Sequence, residues 1–278
     1  MKNRFIILHF ALLLIVSSNC GALNVFSYID ERMFEAIEDQ EESISPRILT
    51  IIDKYRHAVV GNKQADHITS LLVTGSLETK EGVSTFRFLL LRPNLLRFDV
   101  ISSDGFTAQV YDGNWGWFME ERGGHKMVRW MSESESETMC RDSVFFSYLM
   151  DASRQDISFS LLSSTSELIG IQAELKGGDC INYWLDPETF LISREVKVNA
   201  GESGFLVIDY SDYREVNGCM FSFLAIHSLY GRKVTEVKID HISTNADISL
   251  IPFTAPILNK PQSYSKEIDM LEEVEFAN

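Results

Sequence analysis

The 278-residue sequence lacks an excess of positive charge. It carries 25 Lys and Arg against 40 Asp and Glu, which gives a formal net charge of −15. Nucleic acids and anionic membrane surfaces are bound by clustered basic residues, so this balance argues against both as partners. The apolar fraction of 45% is nevertheless that of a folded globular protein rather than a disordered chain.

Recognised catalytic motifs are also missing. The sequence has no Gly-x-Ser-x-Gly elbow, His-Glu-x-x-His pair, P-loop, Gly-x-Gly-x-x-Gly turn or Cys-x-x-Cys pair. Its six His and four Cys are dispersed, which leaves little material for a metal site. His227 and His241 fall in neighbouring predicted strands and, if they meet, favour a structural pair over a catalytic one. We therefore expect no catalysis, no metal and no cofactor.

The long apolar run of the sequence lies at its N-terminus. Residues 5–16 are almost continuously apolar, follow a basic start and precede small or polar residues up to Ala22. This order is typical of a secretory signal peptide over residues 1–22, and the run is shorter than the roughly 20 apolar residues of a membrane-spanning helix. The chain is therefore expected in the periplasm. Two processing routes stay open: cleavage after Ala22, or lipidation of Cys20 as an anchor.

Three cysteines follow that segment, namely Cys140, Cys180 and Cys219. An exported chain meets an oxidising compartment, so one disulfide with one free thiol is one outcome. Three buried cysteines that act as small apolar residues are the other outcome. The sequence alone does not choose between these two states.

Two segments have the features of helices. Ser45, Pro46 and Gly61 suit the cap, first turn and end of a helix. Between them apolar residues recur at three- and four-residue spacing: Ile48, Leu49, Ile52, Tyr55, Ala58 and Val59. A second helix is predicted over residues 137–152, and the acidic serine stretch before it, residues 132–137, is interpreted as a solvated loop.

Short alternating apolar runs, separated by turn-forming residues, occupy most of the remaining chain. They predict strands over residues 68–78, 83–91, 95–102, 106–111, 115–120, 171–175, 181–185, 190–198, 205–213, 220–228 and 235–243, with 127–131 as a further candidate. In the strand 190–198 one predicted face holds Phe190, Ile192, Val196 and Val198, and the other holds Ser193, Glu195 and Lys197.

The order of these elements predicts the fold class. Strands do not alternate with helices, which argues against a parallel βαβ architecture. We expect a mainly β (α+β) domain over residues 43–258, with about 11 antiparallel strands and a few helices. An acidic leader, residues 23–42, and an acidic C-terminal tail, residues 259–278, flank this domain.

Several predicted strands are apolar on both faces. Phe86, Phe88 and Leu90 share one face of their strand, while Leu89 and Leu91 share the other. A sheet buried on both sides needs a partner for each face. Ordinary packing against helices is one interpretation. A closed or half-closed barrel around a hydrophobic cavity, with helices as its lid, is the other.

Two motifs resemble one protein family. Residues 91–98, Leu-Arg-Pro-Asn-Leu-Leu-Arg-Phe, are followed at residues 110–118 by Val-Tyr-Asp-Gly-Asn-Trp-Gly-Trp-Phe. Their order, together with Tyr-Trp-Leu-Asp-Pro at residues 183–187, resembles that of the outer-membrane lipoprotein carriers of the LolA/LolB superfamily. The resemblance covers residues 45–256. It implies an incomplete antiparallel barrel that is closed by helices and holds acyl chains inside.

This resemblance implies a periplasmic carrier that shields the acyl chains of lipids or lipoproteins on their way to the outer membrane. It also implies a membrane donor complex and an outer-membrane acceptor, and we expect a monomer. By motif match, Arg92 corresponds to an arginine that holds the lid closed. The cavity candidates are Phe86, Phe88, Leu90, Leu96, Phe98, Trp115, Trp117 and Phe145. The alternative function is a non-catalytic lipid-sensing regulatory protein of the envelope with the same fold.

Overall fold

The computed structural model describes residues 44–61, 67–152, 156–198 and 205–255. The predicted signal peptide, acidic leader and acidic tail lie outside these residues, as does Cys20. Within them the protein is mainly β, with a single antiparallel sheet, two α-helices and short 3₁₀ helices, which confirms the expected fold class. None of the helices in these ranges is long and apolar enough to cross a membrane.

Thirteen strands in the described part of the chain form the sheet. They are β1 (Ser70–Thr79), β2 (Gly82–Leu91), β3 (Leu95–Ser102), β4 (Gly105–Tyr111), β5 (Gly116–Arg122), β6 (His125–Trp130), β7 (Ile157–Ser164), β8 (Ile169–Leu175), β9 (Cys180–Leu185), β10 (Ile192–Val198), β11 (Phe205–Val216), β12 (Cys219–Leu229) and β13 (Arg232–Thr244). Neighbours in the chain pair with one another, except that β6 and β7 are the two edges and β1 pairs with β13.

Because of this strand order, the chain has to cross from one edge of the sheet to the other between β6 and β7. β6 and β7 are consecutive in the sequence but lie at opposite edges. The segment that leaves β6 towards β7, residues 131–151, carries α2 (Glu133–Asp142) and a 3₁₀ helix (Tyr148–Asp151). We call it the crossover segment. The result is an incomplete antiparallel barrel whose open side is spanned by helices.

The first predicted helix is confirmed as α1 (Pro46–Val60). Ser45 Oγ accepts a hydrogen bond from Arg47 N at 3.3 Å, Pro46 lies in the first turn, and Gly61 follows the helix with a φ of 61°. Its buried residues form one stripe: Ile48, Ile51, Ile52, Tyr55, Val59 and Val60. The helix contacts β7, β12 and the 3₁₀ helix of the crossover segment, so it fills part of the barrel.

The second predicted helix is wrong in its bounds. Residues 133–137, interpreted as loop, form the first turns of α2, and the α-helix ends at Asp142 rather than near residue 152. Ser132 and Glu135 form a capping box, in which each side chain bonds the other residue's backbone N–H. Acidic residues in a first turn also favour the helix N-terminus electrostatically, which explains why this acidic serine stretch is helical.

The strand predictions need two corrections. β7 was not predicted, although Ile157 and Phe159 are buried and alternate with exposed serines in the period of a strand. Phe190 does not begin β10, because it lies in the preceding turn with a φ of 60°, and the strand starts at Ile192. Asp186 begins the turn between β9 and β10, where its Oδ1 accepts hydrogen bonds from the backbone N–H groups of Glu188 and Thr189.

Both faces of the first half of the sheet are covered. The inner face belongs to one large buried cluster with α1 and the crossover segment. The outer face carries a second cluster, here the outer cluster, that consists of Leu89, Ala108, Val110, Trp117 and Phe253. Phe253 comes from the C-terminal end of the described chain, so this segment covers the apolar face that the helices do not reach.

We expect Phe253 to contribute strongly to stability. Its side chain is 2% exposed, and Trp117 Nε1 donates a hydrogen bond to its carbonyl at 3.3 Å. Phe253→Ala should lower the free energy of unfolding by about 3–5 kcal/mol, as for other buried aromatics. Leu250→Ala, at a side chain 64% exposed, should change it by less than about 0.5 kcal/mol. Urea unfolding followed by tryptophan fluorescence measures both, and similar losses in the two variants would contradict this assignment.

Candidate ligand cavity

A cavity of about 260 Å³ lies between the inner face of the sheet and the crossover segment. The strand residues that line it are mostly apolar: Leu71, Val73, Phe86, Phe88, Leu90, Leu206, Ile208, Phe221, Ala225, Val237, Ile239 and Ile242. Val144 and Phe146 line it from the crossover segment. Phe86, Phe88 and Leu90 alternate along β2, and this period of two directs all three to the same side of the sheet.

The eight cavity candidates separate into three groups. Phe86, Phe88 and Leu90 line the cavity. Leu96, Phe98 and Phe145 belong to the same buried cluster as these residues but do not line the cavity. Phe98 packs against the lining residue Phe86, with ring centroids 5.8 Å apart. Trp117 belongs to the outer cluster, and the Nε1 of half-buried Trp115 donates to Met131 O at 3.0 Å. The two tryptophans are therefore not brought together with the phenylalanines.

Arg92 lies where the end of β2 meets the crossover segment. Its Nε donates a hydrogen bond to Ile68 O at 2.8 Å, in the connection between α1 and β1. Its guanidinium carbon lies 4.5 Å from the centroid of the Phe145 ring, which is a cation–π distance. Arg92 thus contacts both the entry to β1 and the crossover segment.

One end of the cavity is charged. Lys197 on β10 lies 2.9 Å from Asp142 Oδ1 on α2 and 3.5 Å from Glu195 Oε1 on its own strand. Arg141 and Asp179, 2.6 Å apart, form a second ion pair beside it. All five side chains line the cavity.

Sequence reasoning placed Glu195 and Lys197 on the polar face of their strand but did not identify them as site residues. The alternation itself holds at this point, because Glu195 and Lys197 line the cavity while Val196 between them does not. A bulge between Ile192 and Arg194 shifts the register before them. The sequence signal for this charged site was the pair of opposite charges, Glu195 and Lys197, on one face of a predicted strand.

The surroundings keep these groups in defined protonation states. Burial opposes the charge on Lys197, but the carboxylates of Asp142 and Glu195 outweigh it, and the pKa of Lys197 is raised. Burial, reinforced by the charge of Glu195, raises the pKa of Tyr183 and Tyr210. Both phenols therefore stay protonated, and Tyr210 donates a hydrogen bond to Glu195 Oε2 at 3.2 Å.

The histidines and cysteines of the described ranges are dispersed over the fold. His227 pairs with Thr235 across β12 and β13, whereas His241 lies opposite Thr74 of β1, so the two histidines do not meet. Among the described residues no group of three or more His, Cys, Asp and Glu could hold a metal ion.

The three cysteines differ in exposure. Within the described ranges the structure forms no disulfide between Cys140, Cys180 and Cys219. Cys219 is buried, Cys180 is partly exposed and lines the cavity, and Cys140 is exposed. The expectation of three buried cysteines therefore holds for Cys219 alone.

Buried His227 makes the stability depend on pH. Burial, followed by the charge of Lys197, lowers the pKa of His227 from 6.5 to about 4. The unfolded state therefore takes up a proton at a higher pH than the folded state, and stability is lost as the pH falls from about 6.5 to about 4. We expect a loss of about 3 kcal/mol over this window that is absent in His227→Gln, measured by urea unfolding. His241→Gln, which removes an exposed histidine, should retain it, and an unchanged dependence in His227→Gln would contradict this assignment.

The fold is shared with proteins of known structure. No family model and no curated protein sequence matches the chain. A DUF1329 family protein from Desulfovibrio piger matches with a TM-score of 0.53 and 10% identity, over 75% of this chain and 96% of the other.

Two further solved structures share this fold with the chain. A putative outer membrane lipoprotein-sorting protein domain from Vibrio parahaemolyticus matches with a TM-score of 0.50 and 11% identity, over 74% of this chain and 95% of the other. A LolA superfamily protein from Nitrosomonas europaea matches with a TM-score of 0.52 and 11% identity, over 78% and 100%. The chain therefore has the open, helix-filled antiparallel β-barrel fold of the LolA superfamily structures.

Proposed function

We propose that the protein is a non-catalytic carrier that encloses acyl chains of lipids or lipoproteins in its cavity and takes them across the periplasm towards the outer membrane. The observation that carries the proposal is the apolar cavity between the inner sheet face and the crossover segment. The described fold and its likeness to a lipoprotein-sorting domain support this class of ligand. A donor complex at one membrane and an acceptor at the other complete the proposed route.

The physical chemistry of the cavity suits this task. Each buried methylene group contributes roughly 0.8 kcal/mol, so an acyl chain needs an apolar enclosure to cross an aqueous compartment. The aromatic and aliphatic side chains of β2, β11 and β13 provide such a surface. The apolar run and its flanking residues at positions 1–22 support export, with either a cleaved signal peptide or a lipid anchor at Cys20.

The cavity is small for a long acyl chain. Drug-sized ligand pockets span about 300–1,000 Å³, and the cavity of about 260 Å³ is smaller than that range. We therefore expect the crossover segment to move away from the sheet when a long acyl chain enters. Val144 and Phe146 are apolar residues of that segment that line the cavity, so an entering chain contacts both.

Filling the cavity tests the proposed function. Ala225 lines it from β12, so Ala225→Phe should occupy the space and weaken binding of a fluorescent long-chain fatty acid by about tenfold or more. Val83→Phe adds the same ring to β2 at a side chain 66% exposed and should leave the affinity unchanged. Fluorescence titration measures both variants.

Native mass spectrometry of the protein purified from its source should show co-purifying acylated species that are depleted in Ala225→Phe. A ligand-free protein that also fails to bind the fatty acid would refute the carrier function.

The role of Arg92 as a latch has its own test. Arg92→Leu removes the hydrogen bond to Ile68 O and the cation–π contact with Phe145, so the bound fatty acid should leave about five times faster. Arg87→Leu removes an arginine within β2, whose partner Asp99 keeps its ion pair with Arg97, and should leave the rate unchanged. Stopped-flow transfer of the fatty acid to acceptor vesicles measures both rates, and normal release from Arg92→Leu excludes the latch.

A further inference from the structure

The charged end of the cavity has an excess of negative charge. It consists of Arg141, Asp142, Asp179, Glu195 and Lys197, which line the same cavity as the apolar strand residues. Arg141 and Asp179 lie 2.6 Å apart and neutralise each other. Lys197, in contrast, is shared between two carboxylates, those of Asp142 at 2.9 Å and Glu195 at 3.5 Å. Among the described residues that line the cavity, the carboxylates therefore outnumber the cations by one.

Glu195 is the most deeply buried of these charged groups. The exposed fraction of the side chain falls from 29% at Arg141 to 23% at Lys197 and 11% at Glu195. Across the sheet Glu195 pairs with Ile208 of β11, which lines the apolar part of the cavity. Glu195 therefore lies where the charged end meets the apolar wall, which is the place that a polar head group reaches when its acyl chain lies on that wall.

The carboxylate of Glu195 has the capacity to accept a further hydrogen bond. A carboxylate has about four acceptor sites, and Tyr210 donates to one of them, on Oε2, at 3.2 Å. The Nζ of Lys197 donates to Asp142 Oδ1 at 2.9 Å and lies farther, at 3.5 Å, from Glu195 Oε1. Because buried polar atoms are normally hydrogen-bonded, Oε1 is suited to a donor that enters the cavity with a ligand.

The groups around Glu195 show where a further charge is favourable. Burial and then the charge of Glu195 raise the pKa of Tyr210. Burial and then neighbouring carboxylates raise the pKa of Cys180, which also lines the cavity. Both shifts mean that another negative charge is disfavoured here. Burial and then the charge of Lys197 lower the pKa of His227, so a cation is favoured beside Glu195 rather than throughout the cavity.

We propose that the charged end is a head-group subsite for lipids that carry a primary ammonium group, and that Glu195 accepts a hydrogen bond from this group. An ammonium supplies three donors and the positive charge that the charged end lacks among its described residues. A bare carboxylate is repelled there, so a fatty acid binds through its chain with lower affinity. The inference rests on the proposed carrier function and names the class of ligand.

Amphiphiles that share one chain length and differ in head group test the subsite. Dodecylammonium, dodecanol and dodecanoate, each below its critical micelle concentration, are titrated at neutral pH against the uncharged fluorescent dye N-phenylnaphthylamine bound to the protein. Dodecylammonium should displace the dye at about tenfold lower concentration than dodecanoate, with dodecanol between them. At about 0.15 M salt the Debye length is about 8 Å, so the net charge of the protein as a whole is largely screened.

A matched pair of variants separates the subsite from general electrostatics. In Glu195→Gln the amide oxygen still accepts from Tyr210, and Lys197 keeps Asp142, so the fold should survive. The preference for dodecylammonium over dodecanoate should fall to about twofold or less. Asp209→Asn removes the same charge from β11 outside the cavity and should retain the tenfold preference. Equal preferences in the two variants contradict the role of Glu195.

Tyr210→Phe distinguishes the charge of Glu195 from the packing around it. This variant removes the hydroxyl that donates to Glu195 but leaves the carboxylate in place. The preference for dodecylammonium should therefore remain at about tenfold or increase. A preference lost in Tyr210→Phe as well as in Glu195→Gln would mean that both variants act by disturbing the cavity, and the subsite would be overturned.

Two lysophospholipids of equal chain length identify the source of the ammonium group. Lysophosphatidylethanolamine carries a primary ammonium beside its phosphate, whereas lysophosphatidylglycerol carries hydroxyl groups instead. Tighter binding of the first assigns the subsite to aminophospholipids. Equal binding of the two, with dodecylammonium still preferred over dodecanoate, assigns it to amines without a phosphate.

The same titrations separate this inference from the carrier function. Equal displacement of the dye by dodecylammonium and dodecanoate in the wild type overturns the head-group subsite and leaves the carrier function in place. A protein that binds neither the dye nor any of the amphiphiles refutes both.

Discussion

The pairing of β1 with β13 determines the rest of the architecture. It joins the first six strands to the last seven in one sheet and so leaves β6 and β7, which are neighbours in the chain, at the two edges. The pairing contains a bulge at Gly75, where any side chain would clash with the Lys238 carbonyl. Because the edges do not meet, the chain between them crosses the open side, and the crossover segment forms one wall of the cavity.

Covering both faces of such a sheet requires two different devices. Helices fill the concave side, while a short C-terminal segment seals the outer cluster through Phe253. Arg97 reinforces this seal, because its Nη1 donates to Pro252 O at 2.7 Å while its Nε pairs with buried Asp99. The outer cluster is thereby closed without helices, and the helices remain available to border a cavity on the other side.

How far the sequence predicts this molecule depends on the range of each interaction. α1 and most strands were predictable because caps and alternation are local signals, as Ser45 and the run from Phe86 to Leu90 illustrate. The start of α2 was missed although its Ser-x-x-Glu box at Ser132 was readable. The charged end of the cavity was not predictable, because Asp142 and Lys197 are 55 residues apart and only the fold brings them together.

The free energies of individual contacts limit how firmly the crossover segment is held against the sheet. A half-buried ion pair contributes on the order of 1 kcal/mol, and a cation–π contact such as that of Arg92 with Phe145 about as much. An acyl chain that buries about ten methylenes gains roughly 8 kcal/mol. Under the proposed carrier function this gain exceeds what a few such contacts contribute, but it also has to offset the exposure of Phe145 and Leu149, which the crossover segment buries against the rest of the core.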